Sequence, residues 1–160
     1  KEAGVLYVRK DRVDQLWPSV VGVGWEQARE KGARKFGTLG QRDDATVASM
    51  GKAVAFHNSI GKKRVEARVR ELAAALKHEI QRKIPSAEFH TPMEPEMSGG
   101  VVVFALQNVD LPKVFTALYT DHNIGCATMR GDYAGIRLCP HVYNTIEEVD
   151  RVVAAIASLV

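Results

Sequence analysis

The chain has 160 residues, of which 46% are hydrophobic and 26% charged, with a formal net charge of +3. That balance fits a soluble globular protein with enough chain for one sizeable core. Basic residues are interleaved with acids rather than gathered into one face, which points away from dedicated nucleic-acid binding. The two cysteines, Cys126 and Cys139, form no CxxC pair. This points away from a disulfide framework or a zinc site and toward a reducing, cytoplasmic setting. No apolar run is long enough to span a bilayer, and no signal-peptide pattern opens the chain.

In chain order, "VLYV" (Val5–Val8) is a continuous β-prone run of the kind buried on both faces of a sheet. Such a strand needs neighbours, and the expectation is that this chain is a fragment whose N-terminal part lies elsewhere. "LWPSVVGVGWE" is a crossing segment punctuated by Pro and Gly and carrying both tryptophans, and "EKGARKFGTLGQRDDAT" is a polar, Gly-rich loop. Ala45–Ser59 reads as a helix, with Val47, Met50, Val54 and Phe56 as its apolar positions and Gly51 weakening it. The clearest helix follows: Val65, Val69, Leu72, Leu76, Ile80 and Ile84 recur at helical spacing until Pro85 stops it. Its charged face mixes Glu66, Arg70, Glu71, Lys77 and Arg82 and reads as a solvated face.

"SAEFHTPMEPEMSGG" is a loop by composition. "VVVFAL" (Val101–Leu106) then reads as a strand. Asp110 is placed to cap a helix holding Leu111, Val114, Phe115, Leu118 and Tyr119, with Pro112 tolerated in the first turn. "IGCATMR" and "GIRLCP" read as two strands joined by "GDYAG", with Cys126 and Cys139 as small core residues on them. Thr145 and Glu148 make a T-x-x-E capping box that opens a helix with Val149, Val152, Val153, Ile156 and Leu159 apolar. The succession strand–helix–strand–strand–helix predicts a largely antiparallel sheet with helices on one face.

Among candidate functional residues, Arg137 sits inside a strand. It can be a rim arginine paired with an acid, or a planar fork presented to a carboxylate, where rigid mounting and bidentate geometry matter. "GTLGQRDD" (Gly37–Asp44) runs into a helix, so backbone amides with Thr38, Gln41 and Arg42 offer donors to a phosphate. The histidines His57, His78, His90 and His122 show no metal-ligand spacing and read as surface or packing residues. His141 differs, since it lies close to Arg137 in sequence and is a candidate for a pocket rim. No Ser-His-Asp or Cys-His arrangement is visible.

These stretches resemble a known family. "RLCPHVYNTIEEVDRVVAAI" is similar to the C-terminal signature of class V aminotransferases, "KEAGVLYVRKDRVDQLWP" to the stretch after the cofactor lysine, and "GQRDDATVASMGKAVAF" to the Gly-Thr segment leading into a helix. These are fold-type-I, pyridoxal-phosphate-dependent enzymes that include cysteine desulfurases and isopenicillin-N-epimerase-like proteins. The resemblance implies an α/β architecture: a small C-terminal domain of helices on a mainly antiparallel sheet, with the last strand and linking helices of the large domain. The expected division is 1–61 for the large-domain remainder, 62–84 for a linking helix and 85–160 for the small domain.

The resemblance also implies roles. Arg137 matches the arginine that binds the substrate α-carboxylate, with His141 beside it. Thr38, Gln41 and Arg42 fall on the segment that donates to the cofactor phosphate of the neighbouring subunit in a homodimer. Gly40 matches the motif's glycine, and Gln41 stands where threonine is usual. The lysine that holds pyridoxal phosphate covalently is expected upstream. Lys1 is not that residue, so this chain alone carries no catalytic residue and is expected to be inactive without the N-terminal part. The loop "MRGDYAG" lacks the cysteine that desulfurases carry there, which disfavours that activity. The expected substrate is an amino acid, in transamination, epimerisation or lyase chemistry. The rival expectation is a non-catalytic α/β module binding an anionic partner, which predicts a stable monomer in which Val5–Val8 is covered internally.

Overall fold

The computed structural model describes residues 4–160, and the chain divides into two compact units that part between Ser59 and Ile60. Lys1, and the Glu2-Ala3 that precede the first apolar run, lie outside the described residues.

In the first unit, residues 4–9 form no ladder, and Val5, Leu6 and Tyr7 are 84%, 71% and 82% exposed. The expected buried strand is therefore absent: a run that is apolar on both faces forms a strand only between two others, and no described residue supplies them. Short 3-10 turns follow at Lys10–Gln15 and Gly32–Gly37, the second inside what reads as an irregular loop. Between them a single-turn helix, α1 (Trp25–Ala28), starts where Gly24 adopts a φ of 87°, and Trp25 packs on Trp17 with ring centroids 5.1 Å apart. Helix α2 (Asp44–Ile60) matches the sequence reading, yet none of its residues is buried, and Val47, Val54 and Phe56 remain exposed.

The second unit is built on α3 (Lys62–Lys83), whose Leu72, Leu76 and Ile80 are fully or almost fully buried while Val65 and Val69 are half-buried. Four strands, β1 (Glu88–Phe89), β2 (Val102–Ala105), β3 (Ala127–Met129) and β4 (Gly135–Leu138), form one antiparallel sheet in the order β1-β2-β4-β3. The short β1 lies in the segment that reads as loop. Its Glu88 and Phe89 register opposite Ala105 and Phe104.

Two further helices share a core with α3. Helix α4 (Leu111–Thr120) begins at Asp110, whose carboxylate accepts from the Lys113 amide at 3.2 Å. It buries Val114 and Leu118 but leaves Phe115 and Tyr119 exposed. Helix α5 (Ile146–Ala157) opens on the full capping box: Thr145 Oγ1 accepts from the Glu148 amide at 3.2 Å, and the Thr145 amide donates to Glu148 Oε2 at 3.0 Å. Val102, Phe104, Ile136 and Leu138 point from β2 and β4 into one apolar cluster with Leu72, Leu76, Ile80, Leu118, Val153 and Ile156. The helices therefore cover one face of the sheet. Gly135 is required where β4 runs against β2, since a Cβ there would sit 2.2 Å from the Phe104 carbonyl oxygen.

Two expectations fail here. Lys77 is 2% exposed rather than part of the solvated face of α3. Its Nζ donates to the carbonyls of Pro92 (2.7 Å) and Met93 (3.1 Å) and to Ser98 Oγ (2.7 Å), so carbonyls of the following loop replace water around the ammonium. The cysteines lie beside the strands rather than on them: Cys126 is half-buried against the core just before β3, and Cys139 is exposed just after β4. Both fall where the ladder has ended. Among the described residues no helix is long and apolar enough to cross a membrane, and no cluster of three His, Cys, Asp or Glu is placed to hold a metal ion.

Candidate functional site

Arg137 occupies β4, an interior strand, paired with Val103 of β2 on one side and Ala127 of β3 on the other. Its neighbours Ile136 and Leu138 are buried under the helices. Strand alternation therefore sends Arg137 to the opposite, open face. There it is exposed and forms no hydrogen bond or ion pair with a described residue. Of the two readings of this arginine, the one that pairs it with an acid finds no such acid among the described residues. A guanidinium fixed at its base by ladders on both sides, with small side chains flanking it, can receive a carboxylate in two parallel hydrogen bonds.

The loop after β4 is built tightly. The His141 amide donates to Asn144 Oδ1 at 2.9 Å, Asn144 Nδ2 donates to Glu148 Oε2 at 3.0 Å, and Arg68 of α3 donates to the Asn144 carbonyl at 3.0 Å. Asn144 and Thr145 together hold Glu148 ionised, with its carboxyl below the usual range. The His141 ring lies 5.1 Å from that of Tyr143 and is partly buried. The "YNT" turn thus locks the exit of β4 to the start of α5.

On the same open face, β1 ends in a bulge. The amides of His90 and Thr91 both donate to the Val103 carbonyl, at 3.0 and 3.1 Å. His90 Nε2 lies 3.3 Å from the Ala134 carbonyl oxygen, and its ring meets Tyr133 edge-on at 5.6 Å. Sequence reasoning took His90 as a surface or packing residue. Nothing local marks it, because its neighbours come from a bulge and from a turn 44 positions away.

In the first unit, Val23, Arg34, Gly37, Thr38, Gly40, Gln41 and Arg42 line an open cavity of about 620 Å³. Arg34 and Arg42 are exposed and ion-paired to no described residue. Gly40 adopts a φ of 89°, and a Cβ on Gly22 would lie 2.3 Å from the Thr38 carbonyl oxygen, so glycines allow the loop to fold back on itself. Two free guanidinium groups, the Gln41 amide and glycine-rich backbone suit an anionic group such as a phosphate.

Two details bear on how this loop could hold an anion. The Thr38 hydroxyl is buried and turned to the Lys35 carbonyl at 3.4 Å. The start of α2 is capped by Asp43, which accepts from the Thr46 amide at 3.1 Å and from the Thr46 hydroxyl. A carboxylate already engages the helix N-terminus, leaving the side-chain donors as the anion site. Arg34, which the sequence reading passed over, joins Arg42 because the 3-10 turn at Gly32–Gly37 folds it back.

The family model described as aminotransferase class-V matches residues 3–152. The chain belongs to that family, whose members are pyridoxal-phosphate-dependent enzymes, and its fold is that of the small domain and adjoining segments of a fold-type-I enzyme. It is 26% identical over 171 residues to isopenicillin N epimerase of Streptomyces clavuligerus, covering 98% of this chain and 43% of that protein. It is 28% identical over 175 residues to a probable cysteine desulfurase 2 of Mycobacterium leprae (strain TN), covering 96% and 40%. Among solved structures, the apo cysteine desulfurase from Thermococcus onnurineus NA1 superimposes with a TM-score of 0.81 at 21% identity, over 96% of this chain and 42% of that one. The chain therefore spans 40–43% of the length of these relatives.

Proposed function

We propose that these residues serve a pyridoxal-phosphate-dependent enzyme acting on an amino acid, in which Arg137 holds the substrate α-carboxylate. The observation that carries this reading is an exposed arginine, unpaired among the described residues and anchored on an interior strand. A cation paired with no acid among the described residues is available to a ligand's carboxylate. Binding that group at two points fixes the orientation of the α-carbon, so the bond to be broken can be held in one direction. His141, whose ring lies tilted against Tyr143 beyond the end of β4, is the second residue assigned to the carboxylate site in this reading.

Gln41 and Arg42, with Arg34, are the groups that would hold the cofactor phosphate, and Thr38 shapes the loop through its buried hydroxyl. In this reading the phosphate belongs to the cofactor of a second subunit. When bound, pyridoxal phosphate supplies an electron sink for bonds at the amino acid's α-carbon. In this reading a lysine of the complete enzyme anchors it, and the residues of this chain bind and orient. Epimerase, aminotransferase and lyase outcomes are all compatible. The turn Arg130–Ala134 holds no cysteine, which speaks against persulfide chemistry at that turn.

The test is Arg137→Ala in the complete enzyme. Losing the charged hydrogen bonds, worth roughly 1.5–3 kcal/mol, should raise KM for amino-acid substrates about 10- to 150-fold. Arg137→Lys should recover only part of this, since a point charge does not reproduce the fork. An unchanged KM in the alanine variant would refute the assignment.

A further inference from the structure

We infer that His90, braced on Tyr133, is a specificity-determining residue that selects amino acids whose side chain ends in a hydrogen-bonding group. The inference rests on the reading of Arg137 as the carboxylate fork.

Position comes first. Phe89 lies opposite Phe104 on the helix-covered face, with ring centroids 6.0 Å apart, so the next residue along β1 turns to the open face. Its contacts agree, since Tyr133 and Ala134 both belong to the turn that leads into β4. The Val103 carbonyl receives the His90 amide, and Val103 is also the register partner of Arg137. His90 and Arg137 therefore stand on one face with a single strand between them. Two inter-strand spacings put their backbones about 10 Å apart. The two side chains close part of that gap, and an amino acid held by its α-carboxylate at Arg137 completes it only when its own side chain runs several bonds.

Chemistry comes second. A carbonyl oxygen only accepts, so the contact with Ala134 assigns the hydrogen to Nε2. Nδ1 has no partner among the described residues. It accepts from a ligand amide or hydroxyl when the ring is neutral, and donates to a carboxylate when the ring is charged. The phenol of Tyr133, a residue 62% exposed, adds a second group of either polarity. An alkyl terminus packed against these groups would displace their water and return no hydrogen bond. A site built to hydrogen-bond rejects the analogue that lacks the group more strongly than an apolar pocket discriminates size.

Rigidity comes third. The loop that begins at His90 is pinned to α3 by two cations. Lys77 holds Pro92, Met93 and Ser98, and Arg70 donates to the Pro95 and Ser98 carbonyls at 2.7 Å each. His90 is thus the fixed end of a tethered loop, as a discriminating contact requires.

The experiment uses the complete enzyme and calorimetric dissociation constants for glutamine, glutamate and norvaline, which have side chains of similar length. The wild type should prefer at least one polar amino acid over norvaline by about tenfold or more, the loss expected when one charged or well-formed hydrogen bond goes unmade. His90→Phe keeps the ring packing on Tyr133 and removes both nitrogens. It should bring that ratio to within about threefold of unity while leaving norvaline affinity nearly unchanged. Arg137→Ala should weaken all three ligands alike and preserve the ratio. A wild type with no polar preference, or a ratio untouched by His90→Phe while Arg137→Ala weakens all three, overturns the role of His90 and leaves the proposed function standing. Arg137→Ala with no effect on any ligand overturns both.

Discussion

Replacing Lys77 by methionine keeps a side chain of similar length in the same slot and deletes only the ammonium. Burial pushes the pKa of this amine below that of an ordinary lysine, while the Glu94 carboxylate pulls it back up. Three acceptors surround it, the Pro92 and Met93 carbonyls and Ser98 Oγ, at 2.7 to 3.1 Å. Each hydrogen bond to a charged group contributes roughly 1.5–3 kcal/mol, but the three share one ammonium group and do not add. A net loss of about 3 kcal/mol is expected, because the carbonyls would face an apolar methyl group instead of water or a donor. Arg70 keeps its own grip on Pro95 and Ser98, so the loop should loosen rather than detach.

The assay is hydrogen exchange in the complete protein, read by mass spectrometry over the peptide spanning 90–98. The amides of His90 and Thr91 bond the Val103 carbonyl, and that of Met97 bonds the Glu94 carbonyl at 3.1 Å. Local opening made easier by about 3 kcal/mol should speed their exchange about a hundredfold while amides inside α5 stay protected. Exchange within about twofold of wild type would show that the Lys77 cage carries none of the loop's stability, and the reasoning would fail.

Gly135→Ala should lower the melting midpoint of the complete protein. The new methyl would meet the Phe104 carbonyl oxygen at 2.2 Å and carbon at 2.8 Å, both backbone, so β2 and β4 must part at a cost of at least about 1–3 kcal/mol. A variant as stable as wild type would show that the two strands are free to separate there. The cysteines should also differ in reactivity. Burial raises the Cys126 pKa, so the folded protein keeps that thiol protonated at pH values where an unburied one has begun to ionise. Iodoacetamide near neutral pH should therefore label exposed Cys139 first, and Cys126 should catch up only as the pH rises through its elevated pKa. Equal rates across that range, measured by peptide mass spectrometry, would contradict the burial.

What was legible in the sequence is what local physics determines. Helix α3 follows from Leu72, Leu76 and Ile80 at helical spacing, and the starts of α4 and α5 follow from Asp110 and from the Thr145–Glu148 pair. Those signals need only neighbours within a turn. Lys77 was misread because a helical wheel counts its charge and cannot see carbonyls fifteen or more positions later closing over it. The two-residue β1 escaped notice because its pairing rests on Phe89 meeting Phe104, not on any run of β-formers. Val5–Val8 shows the converse case, a strong local propensity with no partner strand among the described residues to satisfy it. At the candidate site, Arg137 in its strand and Gln41 and Arg42 in their loop could be named from the chain. Arg34 and His90 could not, because a turn and a bulge bring them into place.

The sheet order carries a practical consequence for redesign. β4 is held by ladders on both flanks, so any change in the length of its backbone would unpair two neighbours at once. β1 is an edge of two residues ending in a bulge, and only one strand depends on it. Insertions or deletions after Thr91 would therefore change the border of the open face while leaving the arginine's footing intact. A library seeking altered ligand preference is best varied in length on that edge and in side-chain identity alone on β4.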